Sequence, residues 1–264
     1  MPHIRREAYH NVFRHGLPLG PSWILRVEST PHVSKRVAIV QSSYIPWKGY
    51  FDLIASVDEF VLFDDVQYTK RDWRNRNRIK TANGPIWLSI PVEVKGRFEQ
   101  RICDTSIADS SWTGKHWRSI RASYARAPFF RRYEAELECL FREADADKLS
   151  SVNHRFIAGL CGVLGISTRL TWSMDYAVEG DRTGRLLSIC RQAGATEYLS
   201  GPAAKVYLDE PQFAAAGIAV SYADYSGYPE YDQMYPPFDH YVSVIDLIVH
   251  TGPEARRFMQ GAAA

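Results

Sequence analysis

Two acids and a run of cations lie close together in this chain, at spacings that suit chemistry on an anionic substrate. Asp64 and Asp65 close an apolar run, Phe60 to Phe63. Carboxylates in such a place can serve as a general base or as metal ligands. Directly behind them, residues 67–80 carry Lys70, Arg71, Arg74, Arg76, Arg78 and Lys80 against the single acid Asp72, with Trp73 and Asn77 among them. The planar guanidinium suits phosphate or carboxylate. A basic run alone is as readily a solvated loop, but its place behind two aspartates favours a binding surface.

These residues need elements to position them. Val37 to Val40 is an apolar run that ends in a polar loop holding Gln41, Tyr44 and Trp47. Tyr50, Phe51, Leu53, Ile54 and Val57 then recur at helical spacing, and Phe60 to Phe63 follows. The unit reads strand–loop–helix–strand, with its polar residues where both strands end. In parallel α/β sheets, ligands bind beyond those carboxyl ends. Asn83-Gly84 marks a hairpin turn, with Pro85 to Val94 as a strand that returns the basic segment to the sheet, and Arg101 to Ile107 as another strand. The fold class expected is α/β: a mixed, largely parallel sheet flanked by helices, with a hairpin insertion.

A second basic window follows. Residues 115–132 hold six Lys or Arg and no acid, beginning at Lys115 and His116, on an expected amphipathic helix. The two windows carry twelve of the 32 cations. If they converge, they clamp a pyrophosphate or carboxylate; if not, this is a basic surface helix. Further on, Asp181 to Thr183 suits a helix start. The run EYLSG ends in Ser200-Gly201-Pro202, a small-residue loop with Lys205 just inside the next helix. Its backbone N–H groups could approach an anion, although it is not a GxxxxGK[ST] loop. The Tyr/Pro-rich stretch around Tyr231 reads as a folded loop and a possible pocket wall. Asp246, inside the apolar run SVIDLIVH, needs a partner, and one of the arginines could supply it.

The chain has 264 residues, 45% apolar and 23% charged, the composition of an ordinary globular protein. Residues 1–34 read as an N-terminal extension, partly disordered or loosely wrapped, ahead of one α/β domain over 35–264. A net charge of +2 gives no case for nucleic-acid binding. No apolar run is long enough for a membrane span. Cys103, Cys139, Cys161 and Cys190 show no metal-binding or disulfide spacing, which suits a reduced, cytoplasmic setting. Oligomeric state stays open, a homo-oligomer included.

Four stretches resemble the WbqC-like family: VQSSYIPWKGYFDLI, DEFVLFDDVQYTKRDWRNRNRIKT with WLSIPV, EYLSGPAAKVYLDEPQFAAAGIAV, and PEYDQMYPPFDHYVSVIDLIVHTG. They occur in order and span nearly the whole chain after the extension. Members of that family occur in bacterial O-antigen and other surface-glycan gene clusters, and the resemblance implies aminoacyl, specifically glycyl, transfer onto sugars. One departure is plain. The family often begins HQPxYLPW or MQPYFxPY, whereas this chain keeps Gln41 and Tyr44 without the histidine and proline.

The expected function is transfer of an acyl or aminoacyl group onto a sugar or other small molecule. Asp64, Asp65 and Gln41 are the candidates for catalysis. Tyr44, Trp47, Arg74, Arg76, Asn77, Arg78, Lys115, His116, Ser200, Gly201, Lys205 and Tyr231 are the candidates for holding an anionic substrate such as a nucleotide or nucleotide sugar. An ATP-dependent amide ligase working through an acyl-adenylate, with ATP and Mg²⁺, is the alternative closest in chemistry. It would resemble adenylate-forming enzymes such as pantothenate synthetase, but the first loop has no HxGH-type pair. A nucleotide-sugar-binding accessory protein without turnover is the third reading.

Overall fold

A computed structural model describes residues 34–144 and 146–259; residues 1–33 of the expected extension lie outside the described residues. The strands are β1 (Arg36–Val40), β2 (Glu59–Leu62), β3 (Arg76–Thr81), β4 (Gly84–Ser89), β5 (Arg169–Trp172), β6 (Glu197–Ser200) and β7 (Ala219–Tyr222). The helices are α1 (Lys48–Ala55), α2 (Trp112–Tyr124), α3 (Phe130–Arg142), α4 (Leu149–Leu164), α5 (Arg182–Gln192), α6 (Glu210–Ala215) and α7 (Val244–Thr251). Five strands form one sheet in the order β5-β2-β1-β6-β7, and every neighbouring pair is parallel. The fold is α/β, as the sequence indicates.

Strand periodicity explains the layers. Along β1, Val37 and Ile39 join one apolar cluster while Ala38 joins another; along β2, Val61 joins the first and Phe60 and Leu62 the second. Successive side chains of a strand point to opposite faces, so a sheet apolar on both faces must be covered on both. Helix α5 supplies Leu186, Leu187 and Ile189 to the first face. Residues of α1, α4 and α7, such as Phe51, Phe156 and Ile248, fill the second. Each fully buried side chain of this kind contributes about 1.5–3 kcal/mol. Local signals set the helix ends. Asp181 caps α5, its carboxylate accepting from Gly184 N–H at 2.8 Å. Gly165 ends α4 at φ 66°, a conformation that favours glycine.

The strand order places the site. The chain runs outward from β1 to β2 and β5, then returns to the other side of β1 for β6 and β7. The order therefore reverses between β1 and β6. In doubly wound sheets that reversal opens a crevice beyond the carboxyl ends of the strands, where ligands bind.

Four local expectations need correction. The β3–β4 hairpin does not return to the main sheet; among the described residues it pairs only with itself. Its outward backbone groups are met from elsewhere: Tyr124 accepts from Lys80 N–H at 2.9 Å, and Ser243 N–H donates to Arg78 C=O at 2.9 Å. These contacts occupy the outer edge of β3, so that edge is not free to join the sheet. Arg101 to Ile107 is a turn with isolated bridges rather than a strand. The basic helix expected over 115–132 is interrupted at residues 125–129, around Pro128, because the residue before a proline disfavours helical geometry. The partners of Asp246 are not arginines. Tyr231 Oη and Gln233 Nε2 each donate to it at 2.7 Å, and His250 lies at 3.4 Å.

Candidate functional site

A cleft of about 840 Å³ lies at the reversal point. The end of β1 contributes Val40 and Gln41, the end of β6 contributes Ser200 and Gly201, and the residue after β2 contributes Phe63. Trp47, Tyr50, Tyr198, Tyr207 and Tyr225 give aromatic walls, and Gln67 adds an amide. The cations come from α5: Arg182 and Arg185, one helical turn apart, both line the cleft. Arg182 lies 3.4 Å above the Tyr207 ring. Arg185 donates to Asp65 at 2.5 Å and stands over Phe63 at 5.1 Å. Such a cleft has the volume of a small-molecule site, and its aromatic faces and guanidinium groups suit a planar, anionic ligand.

A side chamber of about 340 Å³ shares the wall made by Val40, Trp47 and Tyr50. Ser43, Pro46, Trp73, Arg74, Asn77 and Tyr241 complete it. Of the residues singled out in the sequence, Gln41, Trp47, Ser200 and Gly201 thus line the cleft, and Trp47, Arg74 and Asn77 line the chamber.

The two aspartates do different work. Asp64 is fully buried beneath the loop that follows β1. Its Oδ1 accepts from Ser42 N–H at 2.8 Å and its Oδ2 from the Ser150 hydroxyl. Burial raises its pKa despite those bonds. Asp65 accepts from the Ser173 hydroxyl and from Arg185, each at 2.5 Å. All four carboxylate oxygens are therefore engaged with different protein groups, an arrangement that does not fit a paired-aspartate magnesium site. Among the described residues, no group of three or more His, Cys, Asp or Glu side chains is placed to hold a metal. Asp64 anchors the loop, and Asp65 orients Arg185.

Three further candidates also secure the loop rather than face the cleft. Tyr44 is buried and shares a 2.9 Å hydrogen bond with Nδ1 of His116. Burial pushes His116 down to about 4, so it stands neutral in the fold. Asn77 donates from Nδ2 to the carbonyls of Tyr44 (3.2 Å) and Ile45 (2.8 Å), and its Oδ1 accepts from Arg78 N–H. Ile45 has φ 36°. A β-branched residue there is a true outlier, and a strained backbone persists only where its surroundings over-determine it. Asn77 supplies that restraint. Asn153, not singled out in the sequence, ties the Ser42 hydroxyl to the carbonyl of Arg74, each at 2.9 Å.

The remaining candidates are elsewhere. Arg76 packs over Trp87 at 4.2 Å, and Arg78 pairs with Asp239 at 3.5 Å. Lys115 is exposed on α2, at the limit of ion pairing with Asp109. Lys205 lies against the Tyr222 ring at 4.9 Å, and Tyr231 serves Asp246. The cations of α2 line neither cavity, so the two basic windows do not clamp one ligand there. Cys161 and Cys190 are buried, which pushes both thiols up to about 12 and makes them unfit as nucleophiles. Arg182 and Arg185 are what the sequence reading missed. Their signal was available: two arginines three apart, just inside a capped helix start, share one face.

Similarity to known proteins spans most of the chain. The model of the WbqC-like protein family matches residues 41–258. The uncharacterized protein Rv1507c of Mycobacterium tuberculosis is 49% identical over 226 residues, which is 86% of this chain and 98% of that protein. No solved structure matches significantly.

Proposed function

This chain belongs to the WbqC-like protein family, and from that premise we propose that it transfers an acyl or aminoacyl group, glycyl in the simplest form, onto a sugar or comparable small acceptor. The substrate's anionic, nucleotide-type portion lies in the cleft between β1 and β6. The observation that carries this reading is the pair Arg182 and Arg185 among the aromatic walls at the point where the strand order reverses. Acyl transfer requires that the acceptor's nucleophile attack the acyl carbon while its proton passes to a base, and that the tetrahedral intermediate then break its bond to the donor's carrier, which leaves with the electron pair and takes up a proton. It also requires donors toward the oxygen that becomes negative. Asp181 is the carboxylate among the described residues that line the cleft, and Gln41, which lines it too, is the residue assigned here to orient the acceptor. Asp64 is too deeply enclosed for either role.

The test is to incubate the purified protein with nucleotide sugars, glycine, acyl-CoA and ATP, with and without Mg²⁺, and read products by mass spectrometry. An acylated sugar formed from a carrier-bound donor supports the proposal. An amide formed only with ATP, together with pyrophosphate, replaces it with the ligase reading. Tight binding of a nucleotide sugar without product from any donor replaces it with a binding role.

A further inference from the structure

Arg74 is 9% exposed, and neither its Nε nor its Nη1 has a hydrogen-bond partner among the described residues. The nearest carboxylate at Nε is that of Asp72, 3.7 Å away and beyond hydrogen-bond length. Asp64 lies close enough to feel its charge, but both of that acid's oxygens already accept from serines. A guanidinium that has left water without gaining hydrogen bonds is costly. Here it is held in place from behind, since the Arg74 carbonyl is fixed by Asn153. The side chain lines the chamber beside the main cleft.

Aromatic rings supply four of that chamber's lining side chains. Trp47 and Trp73 line it with Tyr50 and Tyr241, and Trp73 and Tyr241 are exposed at 40% and 59%. Asn77 also lines it, but its amide is committed to the loop carbonyls. A cavity of about 340 Å³ lined by aromatic rings and by one buried guanidinium, whose Nε and Nη1 lack hydrogen-bond partners among the described residues, has the size and chemistry for a small ring bearing a single planar anion. We infer that the chamber is a carboxylate subsite: Arg74 receives the carboxylate of a monosaccharide-sized acidic substrate whose ring packs on the tryptophans. This rests on the cleft reading above, and makes the acceptor of that reaction an acidic sugar or a molecule of like size and charge.

Three probes differ at one position, C6: glucuronate carries a carboxylate there, glucose a hydroxymethyl group, and glucose 6-phosphate a phosphate ester. Each is titrated into the wild-type protein while tryptophan fluorescence is followed, because Trp47 and Trp73 line the chamber. Glucuronate is expected to bind at least ten times more tightly than glucose and more tightly than glucose 6-phosphate. Arg74→Met should remove the glucuronate preference, and Arg74→Lys should retain part of it, because charge remains without the fork. Nucleotide binding in the main cleft should survive in Arg74→Met, whereas Arg185→Met should lose nucleotide and keep glucuronate. That cross separates failure of this inference from failure of the cleft reading. Equal binding of glucuronate and glucose by the wild type overturns the subsite, and needs no variant to fold. Preference for glucose 6-phosphate overturns its assignment to a carboxylate. An unchanged glucuronate preference in folded Arg74→Met overturns the role of Arg74.

Discussion

At the scale of the residue, chemistry-bearing side chains here divide into those that face a cavity and those that hold others in place. Asp65 illustrates the second kind. It bonds Arg185 at 2.5 Å, and Arg185 faces the cleft. Asp65→Asn should therefore weaken binding of an anionic ligand through Arg185. In Arg185→Ala the same change should have little further effect, with the double variant within about 0.5 kcal/mol of Arg185→Ala alone. Titration calorimetry on the four proteins of the cycle checks this; additive losses would show that Asp65 meets the ligand directly. His116 and Asp52 make a second case. His116 falls from 6.5 to about 4, so between those values the unfolded chain binds more protons and stability rises with pH. Asp52, buried under Tyr228, rises from 3.8 to about 6, so over that range the folded chain binds more protons and stability falls with pH. Each effect is at most about 3 kcal/mol, and over the shared window they oppose each other. The wild type should show a nearly flat stability profile between pH 4 and 6 from this pair. His116→Gln should leave the Asp52 slope and become relatively more stable at pH 4.5 than at pH 6.5. Denaturant unfolding at the two values reads the sign.

At the scale of the element, the decisive piece is the loop between β1 and α1. It is held by Asp64 at Ser42, by Trp73 C=O at Tyr44 N–H, by His116 at the Tyr44 hydroxyl, and by Asn77 at two carbonyls. Asn77→Ala leaves the Tyr44 and Ile45 carbonyls unpaired and frees the Ile45 backbone. The expected loss is about 1–3 kcal/mol, or roughly 2–4 °C in Tm for each kcal/mol at this chain length. A scanning calorimetry trace unchanged from wild type would refute the restraint. This loop also shows what the sequence could and could not disclose. The apolar runs of β1 and β2, the helical spacing of α1 and the cap at Asp181 depend on neighbours in the chain, and all were legible. That Asp64, Tyr44, His116 and Asn77 share one task depends on packing α2 and the hairpin against the loop, which no local pattern encodes. The hairpin itself was legible as a turn with two strands. Its separation from the sheet was not, because it depends on Tyr124 and Ser243 meeting the outer edge of β3.

At the scale of the whole molecule, the sheet has a closed end and an open end. At the amino end of β2, Glu59 is fully buried and bonded to Lys35 at 2.7 Å, to Thr171 and to Tyr176. These partners hold its carboxyl below the usual range. Its contribution is present above the unfolded value of about 4.5 and is lost as pH falls through the folded one. Glu59→Ala strands a cation and two hydroxyls and should cost about 3–5 kcal/mol, read as a lower Tm at neutral pH with a smaller deficit in acid. The carboxyl end, in contrast, is where the strand order reverses, where the cleft opens and where α5 brings its arginines. The central claim is that this end binds an anionic, nucleotide-type substrate through α5. Calorimetric titration of UDP-glucose and ATP into the wild type, Arg182→Ala/Arg185→Ala and, as a surface control, Arg121→Ala tests it most directly. Binding by the wild type and by Arg121→Ala, weakened at least tenfold in the α5 double variant and reduced by added salt, is the predicted result. Equal affinity in all three proteins, or no binding of either ligand by the wild type, would contradict it.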